Sequence, residues 1–149
     1  MTPMPRRVVL DASAAVALLA DAGPAGRWAD AATDGAALFA TELMPFEVSN
    51  ILRRHALTGA LDPSAATLAH ADLVALAVEF YPYAALADRV WRLRDNVTAY
   101  DASYVALAEL LRRNAGHPRR EAGSRAWGPL PRRCLSRVRR FGRYGDVQP

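Results

Sequence analysis

Lysine is absent from this chain: all 19 basic residues are arginine. We attribute that bias to a GC-rich coding sequence, not to function. Cysteine is nearly absent too. The single Cys134 excludes an intramolecular disulfide and a cysteine-rich zinc site, and it fits a reducing cytoplasm. Long apolar runs are also missing, and none approaches the roughly 20 residues that cross a bilayer, so no membrane span is expected. Arg6-Arg7 followed by Val8 to Ala20 imitates a secretory leader, but Asp11 interrupts a core that leaders keep uncharged.

What is present suits one domain, or one domain with a tail. The 149 residues are 52% apolar, enough for a core, and 23% charged, which excludes a disordered polyelectrolyte. A net charge of +4 and a pI near 9.8 hint at an acidic partner such as nucleic acid. The average hides a split. Residues 1–111 carry 8 Arg against 13 acids, whereas residues 112–149 carry 11 Arg against 2. In that last quarter only 11 of 38 residues are apolar, Gly and Pro interrupt any periodicity, and paired arginines recur. That is linker or tail composition.

Along residues 1–111, short apolar runs alternate with helical stretches. Val8-Val9-Leu10 reads as a buried strand ending at Asp11, and Ser13 to Ala20 as a helix that Gly23-Pro24 ends. A short helix from Arg27 to Asp34 precedes a second strand at Ala37–Ala40. Pro45 opens a helix that closes at Thr58-Gly59. Asp62-Pro63 starts another, to about Ala77. Val78 to Pro82 is extended, Ala84 to Leu93 helical, and Thr98 opens a helix with an apolar stripe of Ala102, Val105, Ala108 and Leu111. Such alternation predicts a parallel α/β sheet.

Three acids stand out. Asp11 closes the first strand, where α/β sheets place their ligand crevice. Glu47 has Asn50 at i+3 on its flank and no basic residue at i+3 or i+4 to pair with. Asp101 shares the spacing of Val105 and Ala108, which predicts an inward side chain. Converging inward carboxylates repel one another, so they persist mainly around a cation, and oxygen-only ligands select Mg²⁺ or Mn²⁺ over zinc. Each acid also has a local alternative: Asp11 as a helix cap, Thr98-x-x-Asp101 as a capping box, Glu47 as a solvated helix residue.

The surrounding words decide between these. Val8-Val9-Leu10-Asp11-Ala12-Ser13-Ala14, Pro45-Phe46-Glu47-Val48-Ser49-Asn50-Ile51-Leu52 and Thr98-Ala99-Tyr100-Asp101-Ala102-Ser103-Tyr104-Val105-Ala106-Leu107-Ala108-Glu109 resemble the PIN-domain ribonuclease toxins of VapBC toxin–antitoxin pairs. The resemblance runs from residue 7 to 111 in order and spacing. It implies a small three-layer α/β/α domain with a short parallel sheet that cleaves RNA using Mg²⁺, with Mn²⁺ as a substitute. By resemblance Asp11, Glu47 and Asp101 form the metal cluster, with Ser13 and Asn50 in support. It further implies a cytoplasmic homodimer and a VapB-like antitoxin whose tail lies over the acidic cleft. Metal-assisted hydrolysis of a phosphodiester fits that set, with Glu47 as proton acceptor. Arg53 and Arg54 on the Glu47 helix, and Arg89, Arg92 and Arg94 before the third acid, are candidate RNA contacts.

The chain departs from the family after Leu111. A fourth acid is expected soon after the Asp101 helix, in a strand ending Thr-x-Asp-x-x-Leu. Here Arg112-Arg113-Asn114-Ala115-Gly116-His117-Pro118 follows instead. Synonymous codons can be chosen for Asn114 to Ser124 so that the next reading frame gives Thr-Leu-Val-Thr-Arg-Asp-Ala-Lys-Leu-Ala, which restores the motif. The expectation is therefore a PIN-like domain over 1–111, lacking its last strand or strands, and a frameshifted Arg-rich tail over 112–149. Neither Glu121 nor Asp146 has the spacing to replace the missing acid. Nuclease activity is expected to be impaired. A catalytically inactive PIN fold that binds antitoxin and shapes operon repression is the alternative. An aspartyl phosphatase is disfavoured because Ser13 stands where a second acid is needed, and a DNA-binding protein because no helix-turn-helix word appears.

Overall fold

The three short apolar runs become three parallel strands in a computed structural model that describes residues 5–114. They are β1 (Arg7–Val9), β2 (Ala37–Thr41) and β3 (Val78–Tyr81), in the order β1-β2-β3. Val9 sits opposite Phe39, and Thr41 opposite Tyr81. Between β1 and β2 lie α1 (Ala12–Ala20) and α2 (Pro24–Thr33); between β2 and β3 lie α3 (Met44–Leu57) and α4 (Pro63–Ala75). A 3-10 turn at Tyr83–Ala85, α5 (Ala87–Arg92) and α6 (Ala99–Arg113) follow.

Side chains of a strand alternate between its faces, and here each face has its own core. Val8, Leu38, Ala40 and Val78 pack with Leu10, Met44, Val48, Leu52 and Leu73 under α1, α3 and α4. Val9, Ala37, Phe39 and Tyr81 pack with Leu86, Val90, Ala106, Leu107 and Leu111 under α5 and α6. The result is the expected three-layer α/β/α arrangement around a short parallel sheet. Helices cover both sides, as an all-parallel sheet requires.

Three expectations need correction. Gly23-Pro24 does not end a helix; it starts α2, with Gly23 as N-cap and Pro24 in the first turn, where a missing N–H costs nothing. The helix expected over Ala84 to Leu93 is broken at Leu86 into the 3-10 turn and α5. The α6 stripe is also rotated. The buried residues are Ala102, Ser103, Ala106, Leu107 and Leu111, whereas Val105 and Ala108 are exposed. Successive i+3 steps drift round an α-helix, so the predicted stripe walks off the buried face. The arginine-rich tail beyond Asn114, the frameshift reading, Glu121 and Asp146 lie outside the described residues.

Candidate active site

The direction of α6 sets the site. At the far end of the helix, the Leu111 carbonyl accepts from Arg7 Nη1, at the start of β1, at 3.2 Å. Near its beginning, the Tyr104 hydroxyl donates to Glu47 Oε2 at 2.5 Å. Glu47 is in the first turn of α3, just after β2 ends. Thus α6 runs antiparallel to the strands, and its first turn lies at their carboxyl end. Asp11 follows β1, Glu47 follows β2 and Asp101 opens α6, so all three acids occupy that end, where α/β sheets bind ligands.

Each acid has one oxygen held by a hydroxyl. Asp11 Oδ1 accepts from Ser13 Oγ at 2.9 Å and from the Ala14 amide at 2.7 Å. The helix cap and the candidate site residue are therefore the same side chain. Asp101 Oδ2 accepts from Thr98 Oγ1 at 2.7 Å, and Thr98 Oγ1 accepts from the Asp101 amide at 3.2 Å. This is half of the expected capping box, closed through the hydroxyl instead of the Thr98 amide. Glu47 Oε2 is held by Tyr104 as described above. Among the described residues, one oxygen of each acid is therefore held by a hydroxyl and the other accepts no hydrogen bond.

The side chains do not turn inward as expected. Asp11 and Asp101 are exposed and Glu47 is half-buried. First-turn residues at the end of a short sheet project past it, so the acids line an open rim, not a closed cage. Among the described residues no three His, Cys, Asp or Glu side chains stand close enough together to hold an ion. The donor chemistry still suits Mg²⁺. It is all oxygen, and Mg²⁺ is commonly held by one or two carboxylates, with water and substrate phosphate completing its shell.

Tyr104 is the residue that sequence reasoning left without a role. Burial, then the hydrogen bond and charge of Glu47, push its phenol well above the ordinary tyrosine range, and the nearby Asp11 charge adds to the rise. The Thr41 hydroxyl, buried at the end of β2 without a hydrogen bond of regular geometry, lies near enough to the phenol to temper that rise. The available signal was spacing: Tyr104 stands one turn after Asp101, and Thr41 ends the strand beside Asp11.

The supporting residues divide. Ser13 is in contact with Asp11, whereas Asn50 is exposed one turn beyond Glu47. Arg53 and Arg54 are exposed but lie roughly 9 Å further along α3, away from the rim. Arg89 is committed to Glu109. Arg94 lies over the exposed Trp91 ring at 5.0 Å, and Arg92 is exposed.

Comparison with known proteins identifies the family. The family model described as PIN domain matches residues 8–115. The VapC ribonuclease Mb0985 of Mycobacterium bovis is 40% identical over 104 residues, covering 70% of this chain and 79% of that protein. Ribonuclease VapC9 of Mycobacterium tuberculosis matches to the same extent. Ribonuclease VapC1 of the same species is 36% identical over 104 residues, 69% of this chain and 78% of the relative. No helix among the described residues is long and apolar enough to cross a membrane. With a matching domain over most of its length and these relatives, the chain belongs to the PIN-domain family, in its VapC group.

Proposed function

We propose that the chain is the toxin of a toxin–antitoxin pair: an endoribonuclease that hydrolyses RNA phosphodiester bonds with Mg²⁺, for which Mn²⁺ can substitute. The observation that carries this is the placement of Asp11, Glu47 and Asp101 at the carboxyl end of the sheet in a chain of the VapC group. Asp11, Glu47 and Asp101 would hold the ion through their outward oxygens. A bound ion supplies charge neutralisation at the phosphate and acidifies water. Glu47 Oε1, at a moment when it is free of the ion, accepts the proton of the attacking water as the new P–O bond forms. The bond from phosphorus to the leaving ribose oxygen breaks, and that oxygen takes a proton from solvent. Among the described residues, Arg53, Arg54 and Arg92 are exposed cations that would help to hold the strand.

A VapB-like antitoxin and a second copy of the chain belong to the same proposal. Exposed Trp28, Phe46 and Leu57 offer apolar surface to such partners. Cleavage of an RNA pool by the purified full chain tests the reading. Weak Mg²⁺-dependent cleavage that EDTA stops and Asp11→Asn abolishes is the expected result. Cleavage indifferent to both refutes it.

A second reading is favoured by the open rim, where no three acids among the described residues form an ion-holding group. In that reading the chain is a catalytically inactive PIN fold that acts by binding antitoxin and regulating its operon. Antitoxin binding without any RNA cleavage would select it.

A further inference from the structure

Tyr104 belongs by position to α6, whose other packing residues lie in the core beneath α5 and α6. Its ring does not stay there. It packs instead against the core of the opposite layer, the one built by α1, α3 and α4. The side chain therefore crosses the carboxyl end of the sheet between two layers, and its hydroxyl emerges at Glu47, 57 residues away in sequence. A glutamate has three side-chain torsions, and among the described residues no other side-chain hydrogen bond to Glu47 is present to fix them. An apolar side chain would fill the same space without the bond, so packing alone does not call for a phenol. The hydroxyl lies within hydrogen-bond distance of Glu47 Oε2, and a phenol is a donor at neutral pH.

We infer that Tyr104 is a positioning residue: its hydroxyl holds Glu47 Oε2 so that Oε1 faces the rim shared with Asp11 and Asp101. The inference rests on the metal-dependent reading of the site above and names how its middle ligand is oriented. A partner one shell removed from a cation acts on affinity through the ligand it holds, typically by about 10- to 100-fold.

The test compares the full-length chain with Tyr104→Phe, Glu47→Gln, Glu47→Asp and the double variant Tyr104→Phe/Glu47→Gln. Mn²⁺ affinity is measured by EPR of the free ion, alongside RNA cleavage and thermal unfolding. Tyr104→Phe keeps the ring and should weaken Mn²⁺ binding about 10- to 100-fold. In the Glu47→Gln background the same change should alter affinity by less than about twofold, because the tether has nothing left to aim. Glu47→Asp keeps the charge but draws it out of reach of the phenol. It should match Tyr104→Phe, and it carries the test should the tyrosine variant not fold. Wild-type affinity in Tyr104→Phe or Glu47→Asp, an equal loss in both backgrounds, or no Mn²⁺ uptake by the wild-type chain overturns the proposal. A chain that binds Mn²⁺ with the expected pattern but never cleaves RNA refutes the ribonuclease reading and leaves the tether standing.

Discussion

The Arg89 guanidinium grips the Glu109 carboxylate with two hydrogen bonds, Nε to Oε2 at 2.6 Å and Nη2 to Oε1 at 2.8 Å, and so ties α5 to α6. Paired fork geometry of this kind is the stronger form of an ion pair. Helix α5 has only six residues and Val90 as its fully buried side chain, so the tie matters to where it sits. It also removes Arg89 from the set of cations free to meet RNA.

That pair predicts a stability change at acid pH. The hydrogen bond from Arg89 holds the Glu109 carboxyl below its ordinary value of 4.5 against the opposing effect of burial, and the charges of Arg89, Arg113 and Arg112 add to the lowering. A carboxyl that is more acidic when folded contributes stability above its unfolded value. That contribution fades as pH falls through the lower folded value. Glu109→Gln should therefore melt at a lower temperature than the wild type at neutral pH, and the gap should close as pH falls below the ordinary carboxyl range. Melting curves across that range check it, and a gap independent of pH would mean that ionisation is not its source.

Thr98 and Asp101 allow folding and chemistry to be separated. Asp101→Asn keeps an oxygen for the Thr98 hydroxyl, so its stability should stay within about 0.5 kcal/mol of wild type. RNA cleavage should fall about 100-fold or more, as when a group that steadies transition-state charge is lost. Thr98→Ala removes the cap of α6 and should cost about 1 kcal/mol of stability. It keeps the carboxylate, so cleavage should survive at a reduced level. Denaturant titrations beside cleavage rates distinguish the two patterns. Equal activity losses in both variants would assign Asp101 to capping alone.

Legibility in the sequence followed how local the cause was. Asp62-Pro63 places the start of α4 because cap and proline act within one turn, and Asp62 Oδ1 does accept from the Ser64 and Ala65 amides. The second strand, which the structure extends to Thr41, was readable over Ala37–Ala40 because both faces are buried, which leaves an unbroken apolar run. The buried face of α6 was not, since alanines occur all round that helix and only the sheet decides which are covered. Leu86, where the break falls, is buried in the same core as Phe39 and Val90, a tertiary setting that the local sequence does not show. At the site, the three acids were visible as letters, but their outward posture was not. Nothing local tells whether a first-turn carboxylate turns under the sheet or past its end. Tyr104 was hidden for the same reason, because its partner lies in another helix.

Gly26 makes a steric prediction. A Cβ there would meet the Asp21 carbonyl oxygen at 1.6 Å and the Ala17 carbonyl oxygen at 3.0 Å, both main-chain atoms where α1 gives way to α2. Main chain cannot swing aside as a side chain can, so Gly26→Ala should cost about 3 kcal/mol or more, the upper end for overpacking. Gly59 differs: it has φ +72° and open space around it. Gly59→Ala should cost about 1–2 kcal/mol for the left-handed backbone alone, and Gly59→Asn less, because asparagine tolerates that region. Equal losses at the two glycines in chemical unfolding would show that α2 shifts to admit the methyl.

The reading frame carries the last prediction. The family match ends at residue 115, close to where the acid-rich body gives way to paired arginines. If a shift of frame caused that change, the coding DNA from Asn114 onward, read one base later, should encode Thr-x-Asp-x-x-Leu. Correcting the frame near the codons of Leu111 to Arg113 would then supply a fourth carboxylate to a rim whose three acids already have one oxygen each held. An added carboxylate on a hard-cation site raises affinity by charge count. The corrected chain should therefore bind Mn²⁺ more tightly and cleave RNA faster than the chain as it stands. Both gains should vanish when the restored Asp is changed to Asn. Should no frame of the coding DNA restore the motif, no shift of frame produced residues 112–149, and the frameshift reading falls.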